Sequence, residues 1–406
     1  MSKLERLIAE LCPDGVPYKT LGEIAIDIFR GAGITREQVC ETGTPCVRYG
    51  EIYTTYGIWF DECISHTDET LLTSKKYFEH GDILFAITGE SVEDIAKSCA
   101  YIGNEKCLAG GDIVVLKHNQ NPKYLAYALS TMAAQMQKSK GKVKSKVVHS
   151  SVPAIKGIVV PIPPLPVQRE IVRILDNFTE LTAELTAELT ARRKQYSYYC
   201  SQLLQGTTRM YEMIPLSDLA QFTYGYTDKA KDFGTARFIR ITDITDNGTL
   251  NPDDAKYIDL DNESKKYLLH SGDIVMARTG ATYGKTLYIP DDSPAVYASF
   301  LIKITLDNNR ILNRYYWHFA QSSLYWTQAT KLVSTGGQPQ FNTGAISRVK
   351  VPVPSIEEQA RIVSILDRFD ALCNDLTSGL PAEIEARKKQ YEYYRDKLLT
   401  FQEVKA

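Results

Sequence analysis

Three stretches of the chain concentrate side chains that could hold phosphates or read the edges of bases. In QKSKGKVKSKVVHSS, Lys138, Lys140, Lys142, Lys144 and Lys146 occupy every second position. An extended segment would set all five ammonium groups on one side as a row for phosphates; the alternative is an edge strand guarded by lysines. In STGGQPQFNTG (334–344) the charges vanish and Gln338, Gln340 and Asn342 take their place, beside Gly336 and Gly337. Amides of this kind pair in bidentate fashion with adenine in the major groove, and glycines permit close backbone approach; a plain polar loop is the other reading. In ARTGATYGKT (277–286), Arg278, Thr279 and Lys285 form a basic loop fitted to a DNA backbone or a base edge, or else a structural turn. Gly280 and Gly284 are separated by three intervening residues where the glycines of a nucleotide-binding P-loop are separated by four, and the flanks read strand, loop, strand, whereas such a loop must open a helix. In the first half Thr88 and Gly89 stand in the corresponding place, followed by Glu90 rather than a basic residue.

Other chemistry is missing. His66, His80, His118, His149, His270 and His318 show no metal-ligand spacing, and no Ser-His-Asp arrangement can be placed. The eight cysteines form no CxxC pair and read as reduced, mostly buried thiols. No NPPY-like segment, no glycine-rich loop for S-adenosylmethionine, no Walker A motif and no nuclease-type carboxylate pair with lysine occurs. No catalytic residue and no metal ligand is assigned.

These stretches need elements to carry them, and the chain supplies the same set twice. Gln168, Ile171, Val172, Ile174, Leu175, Asp176 and Phe178 recur 191 residues later as Gln359, Ile362, Val363, Ile365, Leu366, Asp367 and Phe369. VPIP (160–163) recurs as VPVP (351–354). Arg192, Lys194, Gln195, Tyr196, Tyr198, Tyr199, Leu203 and Leu204 recur as Arg387, Lys389, Gln390, Tyr391, Tyr393, Tyr394, Leu398 and Leu399, now at an offset of 195. The stretches between echo faintly, GDILFAITG (81–89) against GDIVMARTG (272–280). A period of this length is a whole domain plus a connector, which excludes a solenoid of short repeats.

From about residue 167 to 205, apolar positions alternate in steps of three and four, the stripe of one long helix. Its second copy, from about 356 to 401, contains Ser378-Gly379-Leu380-Pro381, where a break is expected because Pro381 suits the first turn of a restarted helix. The first copy carries a tandem tetrapeptide, TAEL at 182–185 and again at 186–189. It reads either as simple amphipathic helix or as a ruler, since four residues add ~6 Å of helix. Tyr196, Tyr199, Tyr391 and Tyr394 fall on the stripe, where aromatics commonly anchor protein contacts; a basic-aromatic nucleic-acid patch is the competing reading.

With 406 residues, 44% of them hydrophobic, the chain has material for two cores. Its 47 basic and 49 acidic residues nearly cancel, so any nucleic-acid affinity must be local. No apolar run approaches the roughly 20 residues of a membrane span, and the start MSKLERLIAELCPDG lacks a signal-peptide core; a cytoplasmic location is expected.

Two unlike globular domains, each followed by a helix ending in (R/K)KQYxYY and entered through a proline-rich segment and QxxIVxILDxF, resemble the specificity subunits of type I restriction-modification enzymes. The TAEL tandem resembles the subfamily in which the tetrapeptide copy number sets the spacer of the target. The resemblance implies an α/β chain: two mixed target recognition domains, one for each half of a bipartite asymmetric DNA site, joined by two long antiparallel helices in a pseudo-twofold repeat. Expected boundaries are 1–160 for the first recognition domain, 161–208 for the central helix, 209–352 for the second domain and 353–406 for the C-terminal helix. The implied partners are double-stranded DNA, two methyltransferase subunits and motor-nuclease restriction subunits. S-adenosylmethionine, ATP and Mg2+ would then sit on those partners, and this chain would carry no catalysis. A self-sufficient methyltransferase or nuclease, and a scaffold that never touches DNA, are the rival readings.

Overall fold

A computed structural model describes residues 2–139, 142–144, 147–205, 211–334, 337–375 and 378–404. The chain is mixed α/β and divides into two compact units, 1–183 with 385–406, and 184–384. Each unit takes one globular domain and one half of each repeated helical region.

In the first unit an antiparallel sheet runs in the order Ala25–Arg30, Ile113–His118, Ile83–Ala86, Ser98–Tyr101, and Trp59–Phe60 adds in parallel at the end. The strand Ile83–Ala86 is buried at every position, the signature of a strand covered on both faces. In the second unit the matching sheet is Ala220–Tyr224, Leu301–Leu306, Ile274–Ala277, Thr286–Tyr288. Register fixes the equivalence: Ile113 pairs with Ala86 as Leu301 pairs with Ala277, and Val114 pairs with Arg30 as Ile302 pairs with Tyr224. A two-stranded ribbon closes each domain, Tyr18–Thr20 on Val159–Pro161 and Met213–Pro215 on Lys350–Pro352, so the VPIP and VPVP segments are the last strand before each helix.

The first helix is unbroken over Leu165–Gln205, 41 residues or ~61 Å at 1.5 Å per residue. Its counterpart is split into Ile356–Asn374 and Leu380–Leu398, with the restart at the expected Leu380-Pro381. Ser355 caps the first piece by accepting from the Glu358 backbone N–H. The apolar stripes meet inside each unit. Phe178 stacks on Tyr394 in the first unit and Tyr199 on Phe369 in the second, both at 5.5 Å between centroids.

Polar bonds repeat as faithfully as apolar ones. Buried Gln168 accepts from Asn121 N at 3.0 Å and donates to the Pro163 carbonyl at 2.7 Å; buried Gln359 accepts from Leu312 N at 2.9 Å and donates to the Pro354 carbonyl at 2.9 Å. Tyr124 OH donates to the Pro161 carbonyl as Tyr315 OH does to Pro352. Asp176 holds Lys123 and the Tyr127 hydroxyl, and Asp367 holds Arg314 and His318.

The cysteines are free and mostly buried; burial pushes the thiols of Cys46, Cys99 and Cys200 up to about 12. No helix among the described residues is long and apolar enough to cross a membrane.

Candidate nucleic-acid interface

In the second unit the basic loop is built as strand, turn, strand: Ile274–Ala277, a tight turn at Gly280–Thr282, then Thr286–Tyr288. Gly280 and Gly284 hold φ of +71° and +78°, the left-handed region that glycine enters without cost. Arg278 lies just past the strand end, half-buried. Its Nε donates to the Ser299 carbonyl at 3.1 Å, and its guanidinium sits 5.2 Å from the Tyr224 ring and 5.4 Å from the Phe300 ring. Both rings are exposed, 43% and 52%. Its two terminal nitrogens have no hydrogen bond among the described residues.

The amide loop folds beside it. The Phe341 N–H donates to the Arg278 carbonyl at 2.7 Å, and Thr279 forms a backbone bridge with Gln340. Arg278, Gln338 and Gln340 thus share one locality, with Gln338 exposed and Gln340 half-buried. Asn342 belongs to the same loop, but its Oδ1 accepts from Ala345 N at 3.0 Å and caps a short helix. Thr279 is buried, and Lys285 is held by Asp246 at 2.5 Å; both serve the loop's own structure.

The lysine row requires a correction at its start. Lys138 does not lead an extended strand: it ends the helix Met132–Lys138, capped by Thr131. Helical spacing replaces alternation, so Ala134 and Lys138, one turn apart, both point inward. The residue is 5% exposed, and its ammonium donates to Ser98 Oγ at 3.0 Å and sits 5.9 Å from the Phe85 ring; burial lowers its pKa to about 7. Lys142 and Lys144 fall in the strand Lys142–Lys144, which pairs with Val147–His149. Lys140 and Lys146, like Gly336, lie outside the described residues.

At the equivalent strand ends of the first unit stand side chains that sequence reasoning missed. Arg30 matches Tyr224, Ile87 matches Arg278 and Asp112 matches Phe300. Arg30 donates its Nε to the Gly111 carbonyl and pairs with Asp112, both at 2.5 Å, while staying 58% exposed. Next to Asp112 opens a cleft of about 530 Å³ lined by Gly33, Arg36, Arg48, Tyr49 and Gly111. The available signal was a residue followed by glycine at the end of the first sheet strand in each half, Arg30-Gly31 and Tyr224-Gly225. A Cβ on Gly31 would lie 2.1 Å from the Gly110 carbonyl oxygen, and one on Gly225 2.3 Å from that of Ala298.

On the helices, Tyr196 donates to His318 Nδ1 at 3.1 Å, and Tyr391 packs on Tyr127 with ring centroids 6.4 Å apart. Tyr199 and Tyr394 are 39% and 36% exposed over their stacked phenylalanines. The outward tyrosines are their neighbours Tyr198 and Tyr393, each 61% exposed.

Comparison with known families decides what this duplicated architecture belongs to. Residues 13–192 and 209–386 each match the family described as the type I restriction modification DNA specificity domain. The chain belongs to that family. It is a DNA-specificity subunit of the type I restriction-modification kind. Among its relatives is the EcoR124I/EcoR124II type I restriction enzyme specificity subunit of Escherichia coli, 33% identical over 304 residues that span 69% of this chain and 70% of that one. The fold is shared with a type I restriction-modification S subunit from M. genitalium, at a TM-score of 0.55 and 14% identity over 95% of this chain and 96% of that one. It is shared as well with a chain from a structural study of complex assembly and conformational transition in the type I R-M system, at a TM-score of 0.62 and 16% identity over 95% and 97%.

Proposed function

We propose that the chain reads a bipartite, asymmetric DNA target, one half-site with each globular domain, and directs adenine methylation and restriction carried out by partner subunits. The observation that carries this reading is the pairing of two equivalent scaffolds with unlike side chains at the same strand ends: Arg278, Tyr224 and Phe300 in one domain, Ile87, Arg30 and Asp112 in the other. Equivalent scaffolds bring equivalent surfaces to DNA, and unlike side chains there read unlike sequences. The chain itself is non-catalytic in this reading, with S-adenosylmethionine on two methyltransferase subunits and ATP and Mg2+ on the restriction subunits. Tyr198, Tyr199, Tyr393 and Tyr394 are the accessible aromatics of the helices and the anchors proposed for the methyltransferase subunits.

The test is co-expression with the cognate methyltransferase subunit and genome-wide mapping of adenine methylation by single-molecule sequencing. A split motif with a fixed spacer, present only with this chain, is the expected result. An undivided motif, or methylation indifferent to this chain, would refute the reading. Deleting one TAEL tetrapeptide shortens the helix Leu165–Gln205 by ~6 Å, close to two base pairs at ~3.4 Å each. The spacer should contract accordingly while both half-sites stay unchanged.

A further inference from the structure

Two arginines reach the same backbone landmark from different strands. In the second domain Arg278 leaves the end of the strand Ile274–Ala277 and donates Nε to the Ser299 carbonyl, two residues before the strand Leu301–Leu306. In the first domain that strand position is Ile87, which is buried. There the arginine is Arg30, at the end of the neighbouring strand Ala25–Arg30, and its Nε donates to the Gly111 carbonyl, two residues before the strand Ile113–His118. Gly111 and Ser299 are the equivalent position, because Ile113 and Leu301 share one register.

The residue after the carbonyl completes each mount. Phe300 and Tyr224 flank the Arg278 guanidinium, and Asp112 pairs with that of Arg30. In both domains Nε is spent on fixing the plane; among the described residues both terminal nitrogens of Arg278 are left without a hydrogen bond, and of Arg30, one of whose terminal nitrogens is held by Asp112, the other is. A planar fork with its base fixed matches the O6 and N7 edge of guanine in bidentate fashion; a phosphate can take the same fork, and the two are told apart by whether the base preference or only the overall affinity depends on it.

We infer that Arg278 and Arg30 are the guanine-reading arms of the two recognition domains, each presenting its fork to O6 and N7 of one guanine in its own half-site. This rests on the bipartite reading above and adds which residue reads which kind of base. It requires that each half-site contain at least one G·C pair.

The experiment is the methylation map of the complex formed by the full chain, unchanged or carrying Arg278→Lys or Arg30→Lys. Lysine keeps the charge and loses the fork. Each variant should lower the preference for guanine at one position by about tenfold or more. The two variants should act on opposite half-sites, and the untouched half-site certifies that the variant is folded and assembled. Arg278→Gln and Arg30→Gln provide a second reading, since glutamine at the same spot should move the preference toward adenine. The inference is overturned by a half-site of A·T pairs alone, by both variants acting on the same half-site, or by an unchanged motif. A uniform fall in methylation at an unchanged motif would also overturn it, and would make the arginines phosphate contacts. Failure of the unchanged chain to give any split motif would instead take down the reading on which the inference stands.

Discussion

The two units differ little where they hold themselves together and greatly where their strands end. Gln168 and Gln359, Tyr124 and Tyr315, and Asp176 and Asp367 make the same bonds to corresponding backbone and side-chain positions. Even the reciprocal pair between Gln137 and Val159 has its copy between Gln328 and Lys350. At the strand ends three positions differ, with Arg30 standing where Tyr224 does, buried Ile87 where Arg278 does and Asp112 where Phe300 does, although the glycines beside them are kept. Buried polar groups are costly to leave unpaired, so a network once satisfied tolerates few changes. Exposed ends carry no such debt, and there divergence is free to alter what is read.

The sharpest way to break the comparison is to remove its shared buried glutamine. Gln168→Leu and Gln359→Leu each orphan a backbone N–H and at least one carbonyl in a dry site. At about 1–3 kcal/mol per orphaned group, each variant should lose about 2–5 kcal/mol in its own unit. Thermal unfolding should show losses of similar size for the two variants. A large loss in one and none in the other would mean that the copied bonds are not equal in weight.

How much of this was legible in the sequence follows the same division. The repeat, the two long helices, the restart at Pro381 and the aromatic stripe could be read because periodicity and copying are properties of the chain itself. Arg278 was visible through its neighbours, GDIVMARTG, a nearly literal copy of GDILFAITG. Arg30 was not visible, because its equivalence to Tyr224 depends on strand register, and that register is set by pairing with residues some eighty positions away. The alternation of lysines misled at Lys138, where Thr131 starts a helix and the spacing that matters becomes four. The row's other members gave no hint that the first was already spent.

A smaller effect is expected at a network position where the units carry different side chains. Tyr127 donates to Asp176, while its counterpart His318 donates Nε2–H to Asp367 at 2.7 Å and accepts from Tyr196. Burial lowers the His318 pKa, against the opposing pull of Asp367. Between that lowered value and the ordinary 6.5 the unfolded chain binds the proton and the folded one does not, so stability rises with pH across this window and falls on acidification. His318→Tyr should therefore blunt the acid loss of the second unit. The first unit has its own acid-sensitive group, His118, pushed down to about 4 by burial, and should not respond. Tryptophan fluorescence separates the two, since Trp317, 4.9 Å from His318, and Trp326 report the second unit and Trp59 the first. Unchanged acid sensitivity of the Trp317 signal would show that the histidine is not its source.

The smallest effect concerns the lysine that left the row. Lys138 occupies the helix position that Ala329 fills in the second unit, and both are buried. A lysine whose folded pKa is lowered to about 7 is charged in the unfolded chain and increasingly neutral in the folded one between pH 7 and 10.5. The unfolded state then binds more protons, so stability rises with pH through that window and the penalty for burying the charge is greatest below it. Lys138→Met removes the penalty at the cost of a donor to Ser98. Its gain in thermal stability should be greatest at pH 6.5 and shrink steadily toward pH 10. DNA reading by the first domain should not change, because this ammonium never reaches the surface. A loss of half-site preference in Lys138→Met, with stability intact, would return the residue to the interface and undo the division between copied scaffold and diverged ends at this point.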